Sequence, residues 1–396
     1  MKKLSVLLII LFLFITIPVK ADEVDIESNN AVLYNLNDNT IVYEKNKDKK
    51  VSIASLTKLM TALVAIEKID DLNQKIRLEK SDYDKLLKQD ASRSSLKKDK
   101  EYTYMDLLYG LILESGADCA NALARLTYEN ENDFVKAMNK KAKEIGMNNT
   151  SFANPIGLDD KNNYSTMEDV SILLREDLKN DTLRQIITTL NYKLTDGTEI
   201  NHTIYDYMKH FKIDMPYMEG GKTGYELESG YALASIANKN GTTLMLITSK
   251  VDKIPGHVKD AKKIYDYYFN NYSYSPVIKE GETLVTLNAK YLSKNKIEIK
   301  SDEDILYYLK NDYDKSDIKT EYKGIRTITL NNKYNQKLGK LNIYYKDKLI
   351  KTYPVVLNQR IFPNPFIILG AIITYALIIL STFVIIGKIK RSRTMV

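Results

Sequence analysis

Residues 31–45, AVLYNLNDNTIVYEK, alternate apolar and polar positions about a polar NDN, the period of a β-hairpin. The period then lengthens. Leu56, Leu59, Met60, Leu63, Val64 and Ile66 recur at helical spacing behind Ser55, a residue type favoured at helix N-caps. Residues 103–127 read as one helix, with Met105, Leu107, Leu108, Leu111, Ile112 and Leu113 followed by Ala120, Ala122 and Leu123. Residues 131–145 predict a second amphipathic helix and 167–190 a third, separated by the turn-rich FANPIGLDD at 152–160. Residues 230–250 predict two strands about Asn240-Gly241, and HVKDAKKIYDYYFNNY predicts a closing helix. Strands thus flank a helical middle, which predicts an α/β (α+β) domain over residues 22–273.

The pattern changes beyond Ser275. Short alternating stretches such as GETLVTLNA, KIEIKS and KLNIYYKDKLIKTYPVVL, divided by polar turns, predict a small antiparallel β domain over 276–360. It carries no evident chemistry and reads as a spacer or docking module.

The two ends are apolar in different ways. Lys2 and Lys3 precede the run Leu4–Ile17, and Val19 and Ala21 supply small residues for a signal peptidase. This is the pattern of a secretory signal over residues 1–21, too short a run for a membrane span. Residues 366–387 hold no charge and, at about 1.5 Å per residue, reach across a bilayer core. Lys388, Lys390, Arg391 and Arg393 follow, so the 388–396 tail is expected in the cytoplasm and the bulk of the chain on the outer face of the membrane.

These ends also explain the charge. The formal net charge of +7 suggests an acidic partner such as nucleic acid. Yet Lys2, Lys3 and Lys20 supply three of those charges and the tail four, leaving 51 basic and 51 acidic residues elsewhere. The basic balance belongs to targeting and topology, and no nucleic-acid partner is expected. The single cysteine, Cys119, excludes an internal disulfide; beside Ser115 it reads as a small buried residue rather than a reactive thiol. The three histidines, His202, His210 and His257, form no His-Glu-x-x-His motif, so no metal or other cofactor is expected.

Candidate chemistry begins at Ser55-Leu56-Thr57-Lys58. Residues i and i+3 share a helix face, so the Lys58 amine can reach the Ser55 hydroxyl, a weak nucleophile that needs an adjacent base. The pattern alone is weak, because Ser-x-x-Lys also starts at Ser94, Ser95, Ser293 and Ser316. Its order with Ser115-Gly116 in a helical region and Lys222-Thr223-Gly224 before the paired strands is far more specific. Lys58 can act as a base only when neutral, which requires burial or a nearby positive charge, such as that of Lys222.

The stretches YEKNKDKKVSIASLTKLMTALVAIE, YTYMDLLYGLILESGADCANALA, FANPIGLDD with YST, and GGKTGYELESGYALAS resemble those of the D-alanyl-D-alanine carboxypeptidases, the low-molecular-mass penicillin-binding serine peptidases. The resemblance covers residues 30–270 and extends to a following β domain and C-terminal anchor. It implies a penicillin-recognising transpeptidase-like fold, with a sheet flanked by a helical subdomain. It implies peptidoglycan stem peptides ending in D-Ala-D-Ala as substrates, β-lactams as inhibitors, and removal of the terminal D-alanine, which limits cross-linking. In its roles Ser55 is the acyl-ester nucleophile, Lys58 the general base and Ser115 a proton relay. Lys222 and Thr223 bind the terminal carboxylate within the motif closed by Gly224, and the backbone N–H groups of Ser55 and Tyr225 form the oxyanion hole.

Two positions depart from the family pattern. Ala117 stands where the second motif has Asn, a residue that contacts the substrate amide; Asn121, four residues on, reads as structural. Asn163 stands where His is common. Two other readings therefore accompany the peptidase. A β-lactamase-like hydrolase shares the trio, although the chain offers no Glu-x-x-Leu-Asn stretch between Ser115 and Lys222. A low-activity protein that binds penicillin or wall peptides draws on Ala117 alone.

Overall fold

A computed structural model describes residues 24–393 apart from 85, 87, 88 and 90. The expected signal segment 1–21 lies outside the described residues. The chain forms two compact units that divide between Tyr268 and Phe269.

In the first unit, strands β1 (Asn30–Asn35) and β2 (Thr40–Lys45) form the expected hairpin. A single 3₁₀ turn, Ala54–Leu56, leads into helix α1 (Thr57–Ile66). The ribbon β3 (Lys75–Arg77) with β4 (Glu101–Thr103) precedes α2 (Tyr104–Leu113), α3 (Ala117–Thr127) and α4 (Glu131–Ile145). Helices α5 (Met167–Asp177) and α6 (Asp181–Ile187) lead to the ribbon β5 (Asn191–Lys193) with β6 (Glu199–Asn201), and then to α7 (Thr203–His210). Strands β7 (Met218–Glu226), β8 (Gly230–Lys239) and β9 (Thr242–Val251) and helix α8 (Gly256–Asn271) follow.

The five long strands make one antiparallel sheet in the order β2-β1-β9-β8-β7. Both faces of its middle strands are apolar, because each must be covered. Val32, Tyr34, Ala234, Ile236, Met245 and Ile247 join the core of helices α1–α6. The alternate face meets α8, where Ser235 Oγ lies 2.9 Å from the Tyr265 hydroxyl. The Tyr34 hydroxyl donates to Glu168 of α5 at 2.6 Å on the helical side. Strand β7 is one of the sheet's two edges, opposite β2. The β8–β9 connection puts Asn240 and Gly241 at φ 53° and 81°, as a two-residue hairpin turn requires.

Three expectations need correction. Ser55 is not an N-cap: α1 is capped by Leu56 with no side-chain bond, and Ser55 sits inside the 3₁₀ turn. Residues 103–127 are two helices, broken at Glu114-Ser115-Gly116 where Ser115 takes φ 61°. The Gly116 N–H closes back on Gly110 O at 3.0 Å, and the Ala117 N–H leaves the helix path for Ser92 O at 2.9 Å. Residues 167–190 are also two helices, because Asn180 caps a new one through the N–H groups of Thr182 and Leu183.

The second unit contains β10 (Tyr272–Ile278), β11 (Thr283–Ala289), β12 (Lys296–Lys300), β13 (Ile305–Lys310), β14 (Ile318–Gly324), β15 (Thr327–Ile328), β16 (Lys337–Tyr345) and β17 (Lys348–Val356). They form sheets β10-β13, β12-β11-β15 and β14-β16-β17 around a core that includes Val277, Leu287, Ile299, Ile328, Leu341 and Val355. Helix α9 (Pro365–Arg393) closes the described chain. Its segment Pro365–Gly387 is long and apolar enough to span a bilayer and buries nothing against the rest of the chain.

Candidate active site

The site is built where the 3₁₀ turn meets the edge strand β7 and the 152–160 loop. Lys58 Nζ lies 2.8 Å from Ser55 Oγ and donates to Ile156 O at 2.7 Å. The side chain has no aqueous route for its charge, and burial pulls the Lys58 amine down to about 7, against the opposing pull of Glu226 and Asp118. Burial, rather than the Lys222 charge, is therefore the main cause of the shift. Lys222 is buried as well, with Nζ donating to Thr223 O at 2.6 Å, and burial together with Lys58 holds its amine well below the usual lysine range.

The FANPIGLDD loop proves to be the scaffold of this pair. Asn154 Oδ1 accepts from the N–H groups of Ile156, Gly157 and Leu158 at 3.2, 2.7 and 3.1 Å, which folds the loop so that Ile156 O faces Lys58. Thr61 Oγ1 of α1 pins Pro155 O at 2.6 Å. Gly157 takes φ 94°, and a Cβ there would stand 2.1 Å from Ala54 O and 3.1 Å from Ser55 N. Ala54 itself has φ 46°, an uncommon value for a residue with a side chain. The turn is held in this strained form from above by the loop and from the side by β7, where a Cβ on Gly224 would lie 3.0 Å from Ser55 N. The third residue of Lys222-Thr223-Gly224 thus lets the strand approach the turn. Asn154 and Gly157 were not singled out from the sequence; a lone Asn-Pro and a lone Gly in a turn-rich segment do not reveal what they grip.

Thr223 Oγ1 lies 2.8 Å from Thr203 Oγ1, which positions it at the start of α7. Behind the strand, His202 caps α7 by accepting from the Ile204 N–H at Nδ1, and its other ring nitrogen lies 2.7 Å from Gly221 O. With Nδ1 an acceptor, Nε2 carries the proton and donates, and burial lowers this imidazole to about 4. His202 is a neutral strut. His257 is buried between the rings of Tyr207 and Tyr231. Among the described residues no group of His, Cys, Asp or Glu is placed to hold a metal ion.

Ser115 projects from the break between α2 and α3. Its carbonyl accepts from Ser92 Oγ at 2.6 Å, while its hydroxyl bonds neither Lys58 nor Lys222. Ala117 is fully buried, and Asn121 donates to Asp82 O at 2.9 Å, so it does not face the pair. Asn163 is buried and donates to Leu158 O at 3.1 Å, within the same loop system. Cys119 is fully enclosed, and burial pushes its thiol well above the usual range, so it is unreactive. Three of the four competing Ser-x-x-Lys patterns are otherwise engaged: Ser94 and Ser95 Oγ donate to Asp118 and Glu114 at 2.6 and 2.5 Å, and Lys319 pairs with Asp347 at 2.8 Å.

Comparison with known proteins places this arrangement. A family model described as D-alanyl-D-alanine carboxypeptidase matches residues 17–252, and one described as the C-terminal domain of penicillin-binding protein 5 matches residues 272–361. The carboxypeptidase DacF of Bacillus subtilis is 28% identical over 348 residues, covering 88% of this chain and 89% of its own. The D-alanyl-D-alanine carboxypeptidase of Streptomyces sp. strain K15 is 30% identical over 58% of this chain and 83% of its own. Among solved structures, the Streptomyces K15 DD-transpeptidase superposes with a TM-score of 0.57 at 28% identity, covering 63% of this chain and all of that one. The carboxypeptidase DacD of Francisella tularensis, at 21% identity, shares the fold with a TM-score of 0.67 over 88% of this chain and 97% of its own. Since the first family model alone spans well over half of the sequence, the chain belongs to the D-alanyl-D-alanine carboxypeptidase family of serine peptidases.

Proposed function

We propose that this carboxypeptidase works through an acyl-enzyme on Ser55, with Lys58 as its general base. The observation that carries the assignment is the 2.8 Å separation of Lys58 Nζ from Ser55 Oγ, together with the burial that leaves this amine available as a proton acceptor near neutral pH. The Ser55 hydroxyl proton passes to Lys58 as Oγ attacks the carbonyl carbon of the penultimate D-alanine. The backbone N–H groups of Ser55 and Tyr225 hold the oxyanion, which the close approach of Gly224 to the turn supports. The C–N bond then breaks, and a proton relayed by Ser115 goes to the departing D-alanine amine. Water, deprotonated by the same base, releases the shortened peptide and restores Ser55. Thr223 Oγ1, held by Thr203 beside Lys222, receives the substrate's terminal carboxylate.

The stem peptide of peptidoglycan is the substrate in this reading, and export by residues 1–21 with anchoring by α9 places the site outside the cytoplasmic membrane. The length and apolarity of α9 support the anchor.

The base assignment predicts a pH profile. Protonation below about 7 removes the acceptor, so kcat/KM should rise roughly tenfold per pH unit up to about 7 and level above it. A rising limb centred above pH 9 would exclude Lys58 as a base whose amine is held low by burial. Mixing with benzylpenicillin should leave a long-lived mass adduct on the Ser55 peptide. Rapid loss of that adduct as penicillin is consumed would favour the β-lactamase reading, and its absence from a folded protein would favour a binding role traced to Ala117.

A further inference from the structure

The β domain has a charge asymmetry at the end where α9 departs. Residues 272–361 carry 17 basic and 11 acidic side chains. Three segments, 289–295, 324–337 and 357–364, contain six of the cations and no acid. The remaining 11 cations of the domain equal its 11 acids in number, so the whole excess resides in these segments. The six, Lys290, Lys294, Arg326, Lys333, Lys337 and Arg360, are all exposed.

Hydrogen bonds collect the three segments at one end of the domain. The Lys290 N–H donates to Ile328 O at 2.8 Å, Ser293 N–H to Phe362 O at 2.9 Å and Asn335 N–H to Leu357 O at 2.9 Å. The Asn364 N–H, one residue before α9, donates to Tyr291 O at 3.0 Å. Five large apolar or aromatic side chains stand exposed in the same segments: Tyr291, Ile325, Leu330, Tyr334 and Phe362 are 52%, 39%, 47%, 61% and 63% exposed. Lys290 Nζ lies over the Tyr291 ring, 4.9 Å from its centroid. Exposed aromatics mixed with unopposed cations, at the root of an apolar helix, are the chemistry of a surface that meets lipid headgroups.

We infer that this end of the β domain is a membrane-docking surface that seats on anionic lipid headgroups around the base of α9. The inference rests on the reading of α9 as a membrane span. Tyr291, Tyr334, Leu330 and Phe362 enter the headgroup layer, while the six cations meet lipid phosphates. The domain is then fixed to the bilayer at several points and is not free to swing on one helix.

The chain contains no tryptophan, so one introduced residue becomes the sole reporter. The full-length protein with Tyr334→Trp is reconstituted into vesicles of phosphatidylcholine with about one-third phosphatidylglycerol, and quenching by lipid brominated high on the acyl chain is measured. Leu349→Trp is the distal control, on an exposed residue at the other end of β17 from Val356. Phe366→Trp, in the first turn of α9, reports the anchor itself. The expected result is strong quenching at positions 334 and 366, at least threefold less at 349, and a fall at 334 alone when phosphatidylglycerol is left out. If 366 is quenched while 334 behaves like 349, the docking surface is overturned and the anchor stands. If 366 is not quenched, the anchor reading fails and the inference with it. Equal quenching at 334 in both lipid mixtures would overturn the role of anionic headgroups.

Discussion

Ser55→Ala is expected to abolish both D-alanine release and the penicillin adduct while leaving the fold intact. The residue sits in the 3₁₀ turn and its hydroxyl is engaged only by Lys58, so its removal costs no cap and no core contact. The loss in rate should be on the order of 10⁴-fold or more, since among the described residues no other hydroxyl is held against a buried amine to take over the covalent step. Ser94 and Ser95 are spent on carboxylates, and the Ser115 hydroxyl bonds neither lysine. The measurement is single-turnover acylation by intact mass, paired with thermal unfolding to show that the variant is native. Release of D-alanine by Ser55→Ala at the parent rate would defeat the nucleophile assignment.

Gly157→Ala should damage both the fold and the site. The added methyl would have to occupy a point 2.1 Å from Ala54 O, on backbone that already takes a left-handed φ. Adopting that φ with a side chain costs about 1–2 kcal/mol. Relieving the overlap moves either the loop, which carries Ile156 O away from Lys58, or the turn, which carries Ser55. We expect a loss of about 3–5 kcal/mol in unfolding free energy and, in any protein that still folds, acylation slowed by at least about 100-fold. Both are read from denaturant unfolding and from adduct formation with penicillin. Parent-like values for both would mean that the loop does not set the turn. Alanine at Gly146 offers the contrast: it shares a left-handed φ of 93° but meets no atom within 4 Å, so it should lose only the conformational part.

The long hairpins of the sheet and the Ser55–Lys58 contact were legible because their signals are local. The hairpin, the Asn240-Gly241 turn and the Ser55–Lys58 spacing each depend on residues a few positions apart. What escaped was set by contacts distant in sequence. Ser55 reads as a helix cap until β7 and the 152–160 loop, more than ninety residues away, are seen to hold the turn in another conformation. The continuous apolar face of 103–127 conceals a break, because Ala117 finds its partner at Ser92. The low basicity of Lys58 was foreseen, but its cause is enclosure rather than a neighbouring charge. His202 shows no metal motif in the sequence; its two bonds, to α7 and to Gly221, become visible only when β7 lies beside it.

The strand order has a consequence for how the molecule is made. Strand β1 is among the first segments synthesised, yet its partner beyond the hairpin is β9, with Asn30 opposite Ser249. Over two hundred residues must therefore emerge before the sheet can gain its second strand pair, and loop closure on that scale slows folding. Until β9 arrives, the β1–β2 hairpin stands alone, and a two-stranded hairpin is at best marginally stable in water. The sheet therefore stays incomplete until most of this unit has been synthesised. The turn that carries Ser55, pinned by β7 and the 152–160 loop, likewise takes its final form only once β7 has emerged.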